Sequence, residues 1–177
     1  MRCKGFTLLE ATLALSVGAL ILVSLTNVFQ STRAGWKVAN YKSDMTQHAR
    51  VAVSRMTSEL RYATRLTLDG GNLVEFETNN LLDSDKMTTE TIRYSLNPPY
   101  IERSVNGGAI NFVAGGVNTS VSDLLFQPLK IDAGGDLVPL VAGDPVSLAV
   151  AVQIHLTLSD PDSNRFEVVS LARMRNL

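Results

Sequence analysis

The residue whose type and position most invite chemistry is Glu10. No charged residue follows it until Arg33, and residues 11 to 29 form an unbroken run of apolar and small polar types. A carboxylate in a membrane-length apolar helix costs on the order of 2.5–3.5 kcal/mol at the bilayer centre and less near an end. One reading makes Glu10 an interfacial acid at a helix amino end, where the helix dipole favours negative charge. The residues before it add detail: Arg2 and Lys4, then Gly5, an aromatic at Phe6, and Thr7-Leu8-Leu9 leading into Glu10.

Elsewhere the sequence offers little that could act as a catalytic centre. The two histidines, His48 and His155, lack any metal-like spacing to a partner and read as surface or interface residues. Cys3 is the only cysteine, so neither an intramolecular disulfide nor a cysteine-rich metal site is available. Phosphate-cradling glycine motifs followed by lysine are absent, and the double glycines sit where hairpin turns are expected. Asp160, Asp162 and Asn164 have the spacing that opens a calcium loop. Arg165 occupies position 6 and Leu171 position 12, so that motif fails and an ordinary turn is expected. Asp132, Asp136 and Asp144 are loop carboxylates, and Asn118-Thr119-Ser120 is a weak glycosylation match. No cofactor and no metal are expected. A net charge of −1 gives no electrostatic footprint for nucleic acid.

The elements that must position Glu10 follow from hydropathy and periodicity. An α-helix from Phe6 to Phe29, at ~1.5 Å per residue, runs about 36 Å and can cross a ~30 Å hydrocarbon core with some tilt. Arg2 and Lys4 place the amino terminus in the cytoplasm by the positive-inside tendency, although Arg33 and Lys37 lie on the other side. Residues 30–66 continue as an amphipathic helix, with Val38, Tyr41, Met45, Ala49, Ala52, Met56, Leu60 and Ala63 at steps of three and four. Its second half is expected to pack on the chain's own domain.

Beyond residue 66 the period falls to two. Strands are expected at Asn72–Glu77, Thr91–Leu96, Tyr100–Val105, Ala109–Val113 and Ser122–Ile131, the last with Pro128 marking an edge or a bulge. Val146 to Leu158 alternates without a break and reads as one long strand. A turn at Asp160–Asn164 then leads into a last strand, Arg165–Arg173. The fold class is α+β, a long amino-terminal helix on an antiparallel meander at 67–177, with no βαβ units.

Gly5-Phe6-Thr7-Leu8-Leu9-Glu10, after a short basic leader and before an apolar helix, closely resembles the processing site of type IV prepilins and type II secretion pseudopilins. The resemblance implies that residues 1–5 are a leader removed by a membrane prepilin peptidase cutting between Gly5 and Phe6. Phe6 would become the methylated amino terminus and Glu10 the carboxylate that pairs with a neighbouring subunit's amine during assembly. In place of the helix-kinking proline of many major pilins stands Asn27, with Gly18 and Ser24 nearby. Three later features resemble the J-type pseudopilin and W-type minor pilin: Arg-Met-x-x-Glu-Leu-Arg-x-Ala within 52–63; Ile92-Arg93-Tyr94-Ser95-Leu96 with Ile101-Glu102-Arg103; and Val121-Ser122-Asp123-Leu124-Leu125-Phe126.

The function implied is a non-enzymatic minor pilin or pseudopilin of a type IV pilus or type II secretion pseudopilus, in a tip or priming complex that starts the filament. Its partners would be other pilins or pseudopilins, the prepilin peptidase, the inner-membrane assembly platform, and membrane lipid before assembly. It would be a single-pass protein of a bacterial inner membrane with its carboxy-terminal domain extracytoplasmic, later moving into the filament. A second reading is a membrane-anchored binding module for adhesion or DNA uptake, as in a competence pilus. DNA binding would require Arg93, Arg103, Lys130 and Arg165 to converge.

Overall fold

The computed structural model describes residues 7–69, 71–80, 88–141 and 143–175. Gly5 and Phe6, the expected cleavage and methylation positions, lie outside the described residues, as does Gly70. The chain divides into two compact units, Met1–Asn40 and Tyr41–Leu177.

The first unit is helical. The α-helix α1 spans Leu8–Leu60 and passes through Gly18, Ser24 and Asn27 without a break in assignment. Up to residue 40 its large apolar side chains are exposed, Leu8 and Leu20 among them, and none of its most apolar stretch is buried. By length and composition this helix is able to cross a membrane. Its hydroxyls fit such a setting. Ser24, Thr26 and Thr32 each donate to the carbonyl four residues back, at 2.9, 2.8 and 2.8 Å, so these three hydroxyl protons need no water.

The second unit begins inside α1. Met45, Ala49, Ala52, Val53, Met56 and Leu60 recur at steps of three and four and are buried. Small residues at 49 and 52 let the backbone approach the sheets, and Met56 fills an irregular gap. The helix stops at Leu60, earlier than the expected limit of 66. Arg61 and Tyr62 form a turn, and strand β1 runs over Ala63–Asp69. The sequence between Thr64 and Leu68 already alternates, and its β-branched threonines suit a strand, so the pairing with β2 overrides a weak helical pattern.

Two antiparallel sheets follow where one was expected. The first is a meander in the order β1-β2-β3-β4-β5, with β2 at Leu73–Asn80, β3 at Thr88–Asn97, β4 at Tyr100–Val105 and β5 at Asn111–Ala114. The second has the order β7-β6-β8-β9, with β6 at Ser120–Ile131, β7 at Leu137–Pro139, β8 at Ala151–Ser159 and β9 at Arg165–Arg173. Val74, Phe76, Ile92, Tyr94 and Ile101 face inward from the first sheet. Val121, Leu124, Phe126, Val152, Ile154, Leu156 and Leu158 do so from the second, and all join the buried helix residues in one core. Replacing a fully buried Leu156 or Met56 with alanine would cost about 2–5 kcal/mol on that account.

Backbone hydrogen bonds tie the sheets together. Val121 N–H donates to the Pro99 carbonyl at 2.9 Å, and Phe126 N–H to the Gly71 carbonyl at 2.7 Å. Both joints need glycine nearby. Gly71 has φ +81° and a Cβ there would lie 2.9 Å from Leu125 Cδ1, while Gly115, at φ +101°, would place one 2.2 Å from the Pro99 oxygen.

Two expectations in the second sheet are revised. Val146–Leu148 is a single 3-10 turn, not the start of the long strand; Ala149 N–H donates to the Val146 carbonyl at 3.0 Å, and Ala149 is buried where Leu148 is exposed. The turn after Pro145 thus inverts the apparent alternation, and β8 begins only at Ala151. Pro128 lies in β6, which is flanked on both sides, yet β7 covers only Leu129–Ile131. At Pro128 the outer side is free of a strand, so the missing N–H breaks no ladder bond there. Its carbonyl instead accepts from Leu140 N–H at 3.0 Å, and the irregularity in β6 falls at Val121/Asp123.

Candidate functional site

The amino end of α1 is closed by Thr7 and Glu10. Thr7 ends the non-helical chain, and its carbonyl accepts from Ala11 N–H at 3.2 Å. Glu10 N–H donates to Thr7 Oγ1 at 3.3 Å, while Thr7 N–H and Thr7 Oγ1 both donate to Glu10 Oε2 at 3.0 Å. This reciprocal arrangement is a capping box: two otherwise orphaned backbone donors are satisfied by side chains three residues apart. Among the described residues Glu10 Oε1 accepts no hydrogen bond. Glu10 therefore has one oxygen holding its own helix end and one without a partner among the described residues. The Thr-x-x-Glu spacing ahead of an apolar run was the available signal for this cap. A resemblance that gave Glu10 an intermolecular role left that local role unseen.

A second polar cluster lies inside the globular unit. The quoted runs around residues 55–61, 92–96 and 101–103, separate in sequence, meet at Glu59. Its Oε2 accepts from Tyr94 Oη at 2.8 Å and from Arg103 Nε at 3.0 Å, and its Oε1 from Arg55 Nε at 3.2 Å. The side chain of Arg103 is 12% exposed and that of Glu59 20%. Glu59 stands in the last turn of α1, where the helix dipole disfavours an anion and no basic residue shares the turn. The two arginines supply the compensation. Burial, reinforced by the adjacent Glu59 carboxylate, pushes the Tyr94 phenol well above the usual tyrosine range. Burial opposes the charge of Arg103, but its hydrogen bond and attraction to Glu59 outweigh that and raise its pKa. The cluster joins α1 to β3 and β4. It has no nucleophile paired with a base, and its chemistry is that of a structural lock.

The remaining candidates fall into ordinary places. Asp160 Oδ1 accepts from Asn164 N–H and Oδ2 from Asn164 Nδ2, both at 2.8 Å, so that carboxylate closes a turn. Asp132 Oδ1 accepts from the N–H groups of Gly134 and Asp136 at 2.9 Å each. Asp144 Oδ2 lies 2.5 Å from Lys130 Nζ and also accepts from Val141 N–H; these bonds hold its pKa below the usual carboxylate value. Among the described residues no three His, Cys, Asp or Glu side chains gather as a metal site. His48 lies on α1, and His155 pairs in register with Leu125 and Val169, its buried Nε2 without a hydrogen-bond partner among the described residues.

The four basic residues do not converge. Arg103 points inward to Glu59, Lys130 is bound to Asp144, Arg93 is exposed on β3 of the first sheet, and Arg165 opens β9 of the second. No basic surface of the expected kind results.

No family model matches the sequence, and no curated protein matches it. Among solved structures the chain is similar to a type IV-like pilin from Thermus thermophilus. The two share 13% identity with a TM-score of 0.57, over 75% of this chain and 96% of that one. The chain thus has a pilin-like α+β fold, a long amino-terminal helix followed by antiparallel sheets.

Proposed function

We propose that this chain is a pilin-type structural subunit, a minor pilin or pseudopilin, of a type IV pilus or type II secretion pseudopilus. The observation that carries the reading is an uncovered apolar helix with a single carboxylate, Glu10, in its first turn. Before assembly the helix resides in the membrane, amino end toward the cytoplasm. A prepilin peptidase cuts between Gly5 and Phe6, and Phe6 is methylated. The cut leaves the Phe6–Thr7 peptide intact, so the Thr7 N–H that Glu10 binds survives processing. The subunit then joins other pilins or pseudopilins through an inner-membrane platform, in a tip or priming complex.

In that setting the two oxygens of Glu10 divide the work. Oε2 keeps the helix end capped, and Oε1 accepts a neighbouring subunit's terminal amine. An unpaired charge among apolar helices costs several kcal/mol, so pairing selects one axial offset between subunits. The test separates charge from capping. Glu10→Gln retains a cap acceptor and loses the charge; Glu10→Leu loses both. Co-expressed with a complete pilin set, both variants should be cleaved and neither should appear in sheared filaments. Glu10→Gln subunits incorporated at the wild-type level would refute the pairing.

Non-enzymatic display of a binding surface is a second reading. One observation favours it over a purely structural role, namely the outer face of the first sheet.

A further inference from the structure

The inner face of the β1–β5 sheet is filled by core residues, and its outer face holds a concavity of about 370 Å³. Glu75, Arg93 and Ser104, opposite one another across β2, β3 and β4, line it together with the cross-strand pair Ser95 and Glu102 of the next row. Phe112 of β5 pairs with Glu102 and stands beside the concavity, outside its lining. Residues two apart on a strand share a face, so Tyr100 stands beside Glu102. Tyr100 and Phe112 contact each other with centroids 4.6 Å apart, and Phe112 is 62% exposed. The β4–β5 turn, with Asn106 at φ +51° and Gly107 at φ +67°, brings Gly107 and Gly108 to the rim.

The polar groups are only partly committed. Asn97 Nδ2 donates to Glu102 Oε1 at 2.7 Å, which fixes that carboxylate and leaves its other oxygen without a partner among the described residues. Arg93 makes no ion pair or hydrogen bond among the described residues, although Glu75 is its cross-strand neighbour. Two carboxylates around one guanidinium repel an anionic ligand, which excludes nucleic acid and acidic glycans. A neutral polyol meets no such repulsion. Carboxylate and guanidinium are planar two-point groups matched to adjacent hydroxyls, the first accepting and the second donating. The serines supply adaptable hydroxyls, and an exposed aromatic edge covers the apolar C–H face of a sugar ring. The volume lies within the range of small-ligand sites, about 300–1,000 Å³.

We infer that the outer face of this sheet binds a neutral saccharide, with Arg93 and Glu102 holding ring hydroxyls and Phe112 packing on the ring. The inference goes beyond filament assembly and does not depend on it.

The experiment uses the purified full chain in a zwitterionic detergent, because a sugar headgroup would compete. Immobilised lactose, chitobiose and mannobiose serve as neutral probes, with sialyllactose and a heparin fragment as anionic ones. The wild type should bind at least one neutral disaccharide and neither anionic probe. Arg93→Ala and Phe112→Ala should each weaken binding about tenfold or more, corresponding to about 1.4 kcal/mol. Phe112→Trp, which keeps an aromatic face, should restore binding. Both positions are exposed, so unchanged circular dichroism in the variants confirms intact folding. No binding to any neutral probe, preference for an anionic one, or full binding by either alanine variant would overturn the inference. Because no filament is involved, failure here leaves the assembly reading standing, and failure of assembly leaves this result standing.

Discussion

The Glu59 lock gives the most quantitative prediction. Glu59→Ala removes the acceptor of Tyr94 Oη and Arg103 Nε and leaves a guanidinium that is only 12% exposed without its counter-ion. Breaking a fully buried pair costs about 3–5 kcal/mol. Here Glu59 keeps some solvent contact, and its departure from the end of α1 returns about 0.3–1 kcal/mol of dipole energy. The bond to Arg55, whose side chain is 46% exposed, adds about 0.5 kcal/mol or less. The expected loss is therefore about 2–3 kcal/mol. In urea, with a slope of about 1–3 kcal/mol per molar, the midpoint should fall by roughly 0.7–3 M. Pulse proteolysis of the full chain in detergent reads this directly. The double substitution Glu59→Leu with Arg103→Met, which removes both charges, should recover most of the loss. A Glu59→Ala cost below about 1 kcal/mol would refute the lock and reduce the cluster to a surface ion pair.

Two further predictions concern pH. The folded pKa of Tyr94 is raised above its unfolded value of about 10, so the stability it contributes is complete below pH ~10 and declines as pH rises toward the folded value. Alkaline melts of wild type should show this decline, and Tyr94→Phe should flatten it; equal alkaline sensitivity in both would assign the effect elsewhere. Asp144 has a folded pKa below its unfolded value of about 3.9, so its contribution is present above pH ~4 and is lost as pH falls through the folded value. Lys130→Met should reduce the acid dependence of the melting temperature below pH ~4, and an unchanged slope would contradict that pairing.

The extent to which the sequence reveals this fold differs by element, for physical reasons. The apolar run before residue 30 and the strands Tyr100–Val105 and Arg165–Arg173 are legible because local pattern and tertiary setting agree. The boundary after Leu60 is not, since residues 61–66 fit a helical stripe and a strand equally, and pairing with β2 decides between them. At Val146–Leu148 an alternating pattern is turned over by a 3-10 turn that Pro145 initiates. The division into two sheets is set by joints at Gly71 and Pro99, which no periodicity records.

The site shows the same contrast. Glu10 is conspicuous because a lone charge in an apolar run is costly, and its Thr7 cap could have been read from spacing alone. Glu59 looks like any surface glutamate of an amphipathic helix. Its role depends on Tyr94 and Arg103, which lie 35 and 44 residues away. Alternation on β3 and β4 indicates that Tyr94 and Arg103 share a face with the core, which is the only hint of the cluster. Arg93 and Glu102 take the opposite face by the same rule, and only the cross-strand register unites them with Phe112.

The central claim is that Lys4 through Glu10 is a processing and assembly signal. Its most direct test is the intact mass and amino-terminal sequence of the full chain recovered from membranes, with and without a co-expressed prepilin peptidase. The account predicts loss of Met1 to Gly5 and gain of one methyl group on Phe6 only when the peptidase is present. Replacing Gly5 by a bulky residue should abolish that change. A chain that keeps residues 1–5 in the presence of active peptidase, or one cut on the far side of the apolar run, would contradict it.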